Sequence, residues 1–376
     1  MNDINKLFFE LIRVSIDTQE CLSRIPSAKE WKKLYDMAMK QSLIGICFAG
    51  VQKLGGNSDD GFIKLGMPEM LYLMWMGTAA QIQQRNEFMN RRCVELQERL
   101  HRDGFRSCIL KGQGVASLYK IKDDKGGVRD LSALRQSGDI DVWIDASDYE
   151  VIDYVMSSSP TKEFDQKHIH FRCFDDTEVE AHWFPVKWEN PWHNKILLAF
   201  IDKERESQFN NHIDGVCVPT VSFQLAHQLL HVFRHYVYEG VGLRQMMDLY
   251  FAQSASYESE VWKVLDLFKK LGLMRFVAAA QWVLGEVFRM PHEQMICEPD
   301  EKEGQRLLDE IITGGNFGHF NDQNQVIGET FMQRFLRRWG RKFRMFRFDP
   351  MGTLLLPFTR IALEIWMRRV RRKYNV

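Results

Sequence analysis

Two aspartates two residues apart, Asp139 and Asp141, lie in the stretch SGDIDVWID from Ser137 to Asp145. Side chains alternate along a strand, so the pair points to one face about 7 Å apart, and Trp143 and Asp145 continue their row. Ile140, Val142 and Ile144 fill the opposite face. A strand this apolar is fit for burial, and two buried like charges repel unless something cationic lies between them. The segment EVEAHWF puts Glu178, Glu180 and His182 on one face, and Glu180 is the best candidate for a third carboxylate. Three carboxylates on adjacent strands make a site for a hard divalent cation, Mg2+ or Mn2+, which takes oxygen ligands. Two such ions would clamp the attacking and leaving oxygens of a phosphoryl displacement. The cation that the aspartates require is then a metal carrying a nucleoside triphosphate.

Each of these residues has a structural alternative. Asp139 and Asp141 could pair with Arg129 and Arg135, and Glu180 with Arg172. His182 either supports a metal ligand or packs beside Trp183. His168, His170 and His182 together would suit a metal-dependent hydrolase. His227, His231 and His235 recur every four residues and share a helix face. Zinc favours such a pair, but no cysteine or acid is placed to complete the site, so they are expected to line or pack against a cleft. Arg244 and Asp248 are four apart, the spacing of a helical ion pair.

The elements that must position these groups follow from periodicity. Residues 1–102 read as helices. One opens with Ser27 and Glu30 at capping-box spacing and closes on Gly55-Gly56, and a longer one runs from near Pro68 to Gly104. FRSCILKG reads as a strand ending in Lys-Gly, and GVASLYK as a short helix. IKDDKGGVRDLSALRQSG reads as a long polar loop, a length that is usually functional or mobile. DIDVWID is the next strand, ASDYEVIDYVMSSS a capped helix, and EFDQKHIHFRCF with EVEAHWF a hairpin closed by a tight DDT turn. Helices return after Pro219, one of them near 258–289. The boundaries are therefore 1–102 helical, 103–218 an α/β core, and 219–376 helical with a basic tail.

The chain of 376 residues is 45% hydrophobic and 27% charged, a globular composition that excludes disorder as its main character. Seven scattered cysteines without a CxxC pair point to a reduced, cytoplasmic protein. The N-terminus reads as an amphipathic helix rather than a signal peptide, and no apolar run is long enough to span a bilayer. Net charge is zero, yet residues 331–376 hold 13 Lys and Arg against Asp349 and Glu364. Arginine interleaved with aromatics there suits a peripheral contact with an anionic surface, or docking on an acidic neighbour with only the final RRVRRKY left free.

The blocks LKG (Leu110–Gly112), RQSGDIDVWI (Arg135–Ile144) and VEAHW (Val179–Trp183), in that order, resemble the nucleotidyltransferase superfamily. More narrowly, the chain is similar to uncharacterised bacterial nucleotidyltransferase-like proteins with Lys-Gly in place of the usual Gly-Ser. The resemblance covers about residues 30–250 and implies an α+β fold, with a small mixed-sheet palm flanked by N-terminal and C-terminal helical regions. It implies that Asp139, Asp141 and Glu180 hold Mg2+ or Mn2+, with Glu180 also able to take the acceptor's proton. It implies that the Lys111-Gly112-Gln113-Gly114 turn and Arg135 meet the triphosphate. The family's downstream pattern falls on His227, His231, Arg244 and Asp248, and His182 stands beside the third carboxylate. The activity implied is transfer of a nucleoside monophosphate from an NTP to an unknown acceptor, a small molecule, RNA or protein. A catalytically silent binding protein of the same fold is the alternative.

Overall fold

The computed structural model describes residues 2–56, 61–122, 127–188, 190–256, 258–315, 346–348 and 350–374. Its centre is a mixed four-stranded sheet in the order β1-β4-β6-β5. β1 (Ser107–Ile109) runs antiparallel to β4 (Ile140–Ile144), β4 parallel to β6 (Val179–His182), and β5 (His168–His170) antiparallel to β6. Helices precede and follow it, so the fold is α+β, as the sequence implied.

The alternation of β4 decides what each sheet face covers. Ile140, Val142 and Ile144 join Val179 and Ala181 in a core closed by the long helix α5 (Glu69–Arg102) and by α7 (Asp148–Ser158). Trp143, on the Asp141 side, enters the other core, where its ring lies 5.8 Å from Phe223 of α9 (Val221–Tyr238). The acids therefore face the C-terminal helices.

The helix expected from Ser27 to Gly55 is two, α2 (Ala28–Lys40) and α3 (Ile44–Gly55), and the Ser27–Glu30 capping box is present. The break between them is used. The buried Gln41 amide donates to the Ile311 carbonyl at 2.9 Å and accepts from the Leu243 N–H at 2.8 Å. The N-terminal and C-terminal helices consequently share one hydrophobic core. The helix expected near 258–289 also divides, into α11 (Glu258–Lys270) and α12 (Met274–Phe288), with Gly272 between them at φ 67°.

The long polar loop is partly ordered as a hairpin, β2 (Lys120–Lys122) with β3 (Val128–Asp130), followed by a 3-10 turn at Ser132–Leu134. Residues 123–126 of that loop lie outside the described residues. The β5–β6 connection spans residues 171–178 rather than a tight turn, because Phe171 and Thr177 are buried and hold its ends against the core. All seven cysteines are free thiols. No helix among the described residues is long and apolar enough to cross a membrane.

Candidate active site

Parallel pairing of β4 with β6 sets Asp141 directly beside Glu180, and Trp143 beside His182. Asp139 enters from the residue before β4. The ligand atoms of Asp139, Asp141 and Glu180 all lie within 4.8 Å of one another, with Asp139 exposed, Glu180 half-buried and Asp141 buried. Three converging carboxylates fit a hard divalent cation. His168, Glu180 and His182 form a second group within the same limit. Its nitrogen ligands suit a softer metal, so stoichiometric zinc in the purified protein would favour the hydrolase reading.

Lys111 meets the opposing charge directly. Its Nζ donates to Asp141 Oδ1 at 2.7 Å. His182 Nε2 reaches the same oxygen at 2.9 Å and Glu180 Oε2 at 3.2 Å. Burial pushes the Asp141 carboxyl up, but Lys111 and His182 outweigh it and hold the group well below the usual range. Glu180 follows the same balance, with the His182 bond as its main lowering influence. Asp139 behaves oppositely: the like charge of Asp141, then burial, pushes it up to about 6.

The turn that delivers Lys111 is tight. Lys111 and Gly112 have φ of 34° and 26°, a region costly for a residue with a Cβ. Gly114 is enforced by contact, since a Cβ there would lie 2.2 Å from the Ile109 carbonyl oxygen. The RQSGD segment is held from the other side. Asn86 of α5 donates to the carbonyls of Ala133 and Arg135, each at 2.7 Å, and Gly45 of α3 leaves room where a Cβ would meet the Leu134 oxygen at 2.4 Å.

Facing the carboxylates across a cleft are side chains of α9 and α10 (Leu243–Ser254). His227, His231 and His235 lie along it, and burial lowers all three; His227 is pushed down to about 3 and so is neutral near pH 7. The His227 ring nitrogen Nε2 contacts the Pro185 carbonyl at 3.2 Å. Arg244 lines the same cleft and donates to the Gln136 carbonyl at 3.0 Å; burial, then Arg135, lowers it to about 10.

Asp139, Asp141, Glu180, Lys111, Gly112, Arg135, His231 and Arg244 thus border one cleft, with His182 behind its carboxylate wall. Arg135 is placed differently from a phosphate-facing group. Its guanidinium is buried and forks onto Asp248, Nε and Nη2 donating at 2.7 and 2.8 Å, while Tyr119 Oη donates to the same carboxylate at 2.6 Å. Arg129 is likewise taken up elsewhere, by Asp17 at 2.9 Å. Gln113 turns away from the cleft and donates to Asn90 at 2.5 Å. Sequence reasoning missed Lys167, Arg234 and Asp165, which also line the cleft. Arg234 carried a usable signal, being seven residues after His227 on the same helix face. Lys167 carried none beyond its place before β5. Burial, then Lys111 and Arg234, lowers Lys167 to about 8.

No curated protein and no solved structure matches the chain. A family model does match, over residues 27–289, a span that contains the sheet, both cleft walls and the helices that support them. The chain belongs to that family, described as uncharacterised nucleotidyltransferases.

Proposed function

We propose that the protein moves a nucleoside monophosphate from an NTP to an acceptor hydroxyl. The observation that carries this reading is the convergence of Asp139, Asp141 and Glu180 within 4.8 Å at a cleft also lined by Lys111, Lys167 and Arg234. Mg2+ or Mn2+ held by the three carboxylates would neutralise charge on the reacting phosphates. Lys111, Lys167 and Arg234 then supply the positive charge that a triphosphate and a departing pyrophosphate need. His231 and Arg244 border the same space, and the Lys111-Gly112 turn sets the ammonium at its edge. Glu180, kept ionised by His182, is able to accept the acceptor's proton. Arg135 acts in this reading as a strut to Asp248 rather than as a phosphate ligand. The free cysteines support a reducing, cytoplasmic setting.

The test is transfer of label from α-32P NTPs, offered one at a time with Mg2+ or Mn2+, to the protein itself, to RNA and to a small-molecule extract. Transfer that requires metal and disappears in the Asp139→Asn, Asp141→Asn double variant supports the proposal. A second reading, a catalytically silent nucleotide-binding protein, is favoured by the Lys111 ammonium standing on Asp141. An NTP with Mg2+ that raises the melting temperature without label transfer would favour it.

A further inference from the structure

Among the described residues, helix α14 (Pro350–Tyr374) docks on the protein by one face. Trp366 lies 6.0 Å from Phe164 and 6.1 Å from Trp183, the neighbour of His182. Val370 is buried, Arg371 stacks 5.6 Å over Phe164, and Lys373 Nζ meets Asp153 at 2.9 Å. The final RRVRRKY is therefore anchored through Val370, Arg371 and Lys373 while Arg368, Arg369 and Arg372 stay exposed, where the sequence suggested a wholly free end over a buried apolar face. The reason is that the helix has two apolar faces and the docked one includes the last turns. Most of the basic run before it, residues 331–345, lies outside the described residues.

Among the described residues, nothing covers the other face. Met351, Leu354, Phe358, Ile361 and Ile365 are all exposed, Phe358 by 69% and Leu354 by 61%. Their spacing alternates three and four residues, which lines one side of a helix. The same alternation continues to Arg368 and Arg372, both exposed. Glu364 is the single acid within α14, and Arg368 already pairs with it at 3.0 Å.

We propose that this face of α14 seats the protein on an anionic lipid surface. Five large apolar side chains in a row need an apolar phase, which a polynucleotide does not offer. The arginines that extend the row need anions, which a bilayer of acidic headgroups presents at its boundary with the acyl chains. Pro357, Arg360 and Glu364 interrupt the apolar run of this continuous helix, so it would lie along the interface instead of crossing it. A second copy is a poorer occupant. Pairing two such faces would bring the arginines of both copies out of water with one acid apiece to compensate.

The experiment is co-sedimentation of the full chain with vesicles of phosphatidylcholine alone and of phosphatidylcholine with phosphatidylglycerol. Binding is expected only to the anionic vesicles, falling as salt is raised. Phe358→Ser with Ile361→Ser should weaken it at least about tenfold without lowering the melting temperature, because both side chains are exposed. Arg368→Gln with Arg372→Gln should weaken it severalfold and flatten the salt dependence. The proposal is overturned if neither vesicle binds, or if the serine variant binds as well as the parent. It is equally overturned if light scattering finds a dimer that the serine variant dissolves, or if RNA binds with the same dependence on Phe358 and Ile361.

Discussion

Asp141 and Asp248 are buried alike, at 4% and 3% exposure, and each is neutralised by a basic side chain. Their partners differ in kind. Asp248 receives a guanidinium fork and a tyrosine hydroxyl, and both of its oxygens are used. Such a bidentate pair is geometrically fixed. Asp141 receives a lysine and a shared histidine, and both fall on Oδ1. A lysine ammonium is a point charge on a flexible stem, easily exchanged for another cation. One aspartate is thus a strut joining the sheet's approach loop to the C-terminal helices. The other, in the proposed function, is a metal ligand whose present partner can be replaced.

The comparison breaks most sharply at Asp141. Asp141→Asn should abolish metal-dependent transfer and weaken Mn2+ binding by more than about 100-fold, since even groups behind a metal ligand are worth 10–100-fold. Titration of Mn2+ followed by electron paramagnetic resonance reads the binding without any acceptor. A variant that binds Mn2+ like the parent would remove Asp141 from the metal site.

Asp248→Asn should act on stability instead. It leaves the buried Arg135 charge without its counter-ion, a loss of about 3–5 kcal/mol. For a chain of this size that lowers the melting temperature by about 4–6 °C. Thermal unfolding measures it, and a shift within experimental error would show that the fork is not a strut. Asn86→Ala is the milder version, withdrawing two hydrogen bonds from the same loop at about 1–3 kcal/mol. Mn2+ binding should suffer less in it than in Asp141→Asn, because the loop is loosened and no ligand is removed.

How much of this was legible in the sequence depended on the range of the interaction. The acids were legible because two-residue alternation is local, and the mixed sheet then needed only the order of the blocks. The Ser27–Glu30 cap was legible for the same reason. Helix breaks at Gln41 and Gly272 were not, because apolar periodicity carried on through them and the break at Gln41 is satisfied by residues about 200 or more positions away. Arg135 was assigned by type, and an arginine near a phosphate site looks the same whether it meets phosphate or Asp248. The exposed stripe on α14 was hidden because composition shows that a helix is apolar and not which of two apolar faces is covered.

The smallest expected effect sharpens the contrast between Asp141 and its neighbour Asp139. The like charge of Asp141, then burial, pushes the Asp139 carboxyl up from 3.8 to about 6. Across that window the folded protein binds a proton more readily than the unfolded chain does. Stability therefore falls as pH rises from about 4 to 6 and stays lower above it. The side chain is exposed, so solvent screening limits the loss to about 1 kcal/mol or less. In EDTA at pH 7, Asp139→Asn should accordingly melt slightly higher than the parent, and the difference should shrink to nothing near pH 4. Adding Mn2+ should reverse the order, because the parent gains a ligand-bound state that the variant forms poorly. Melting curves at the two pH values, with and without Mn2+, give all four points. An Asp139→Asn variant that melts lower than the parent in EDTA at pH 7 would mean that Asp139 is held by the fold, as Asp248 is, and is not waiting for a cation.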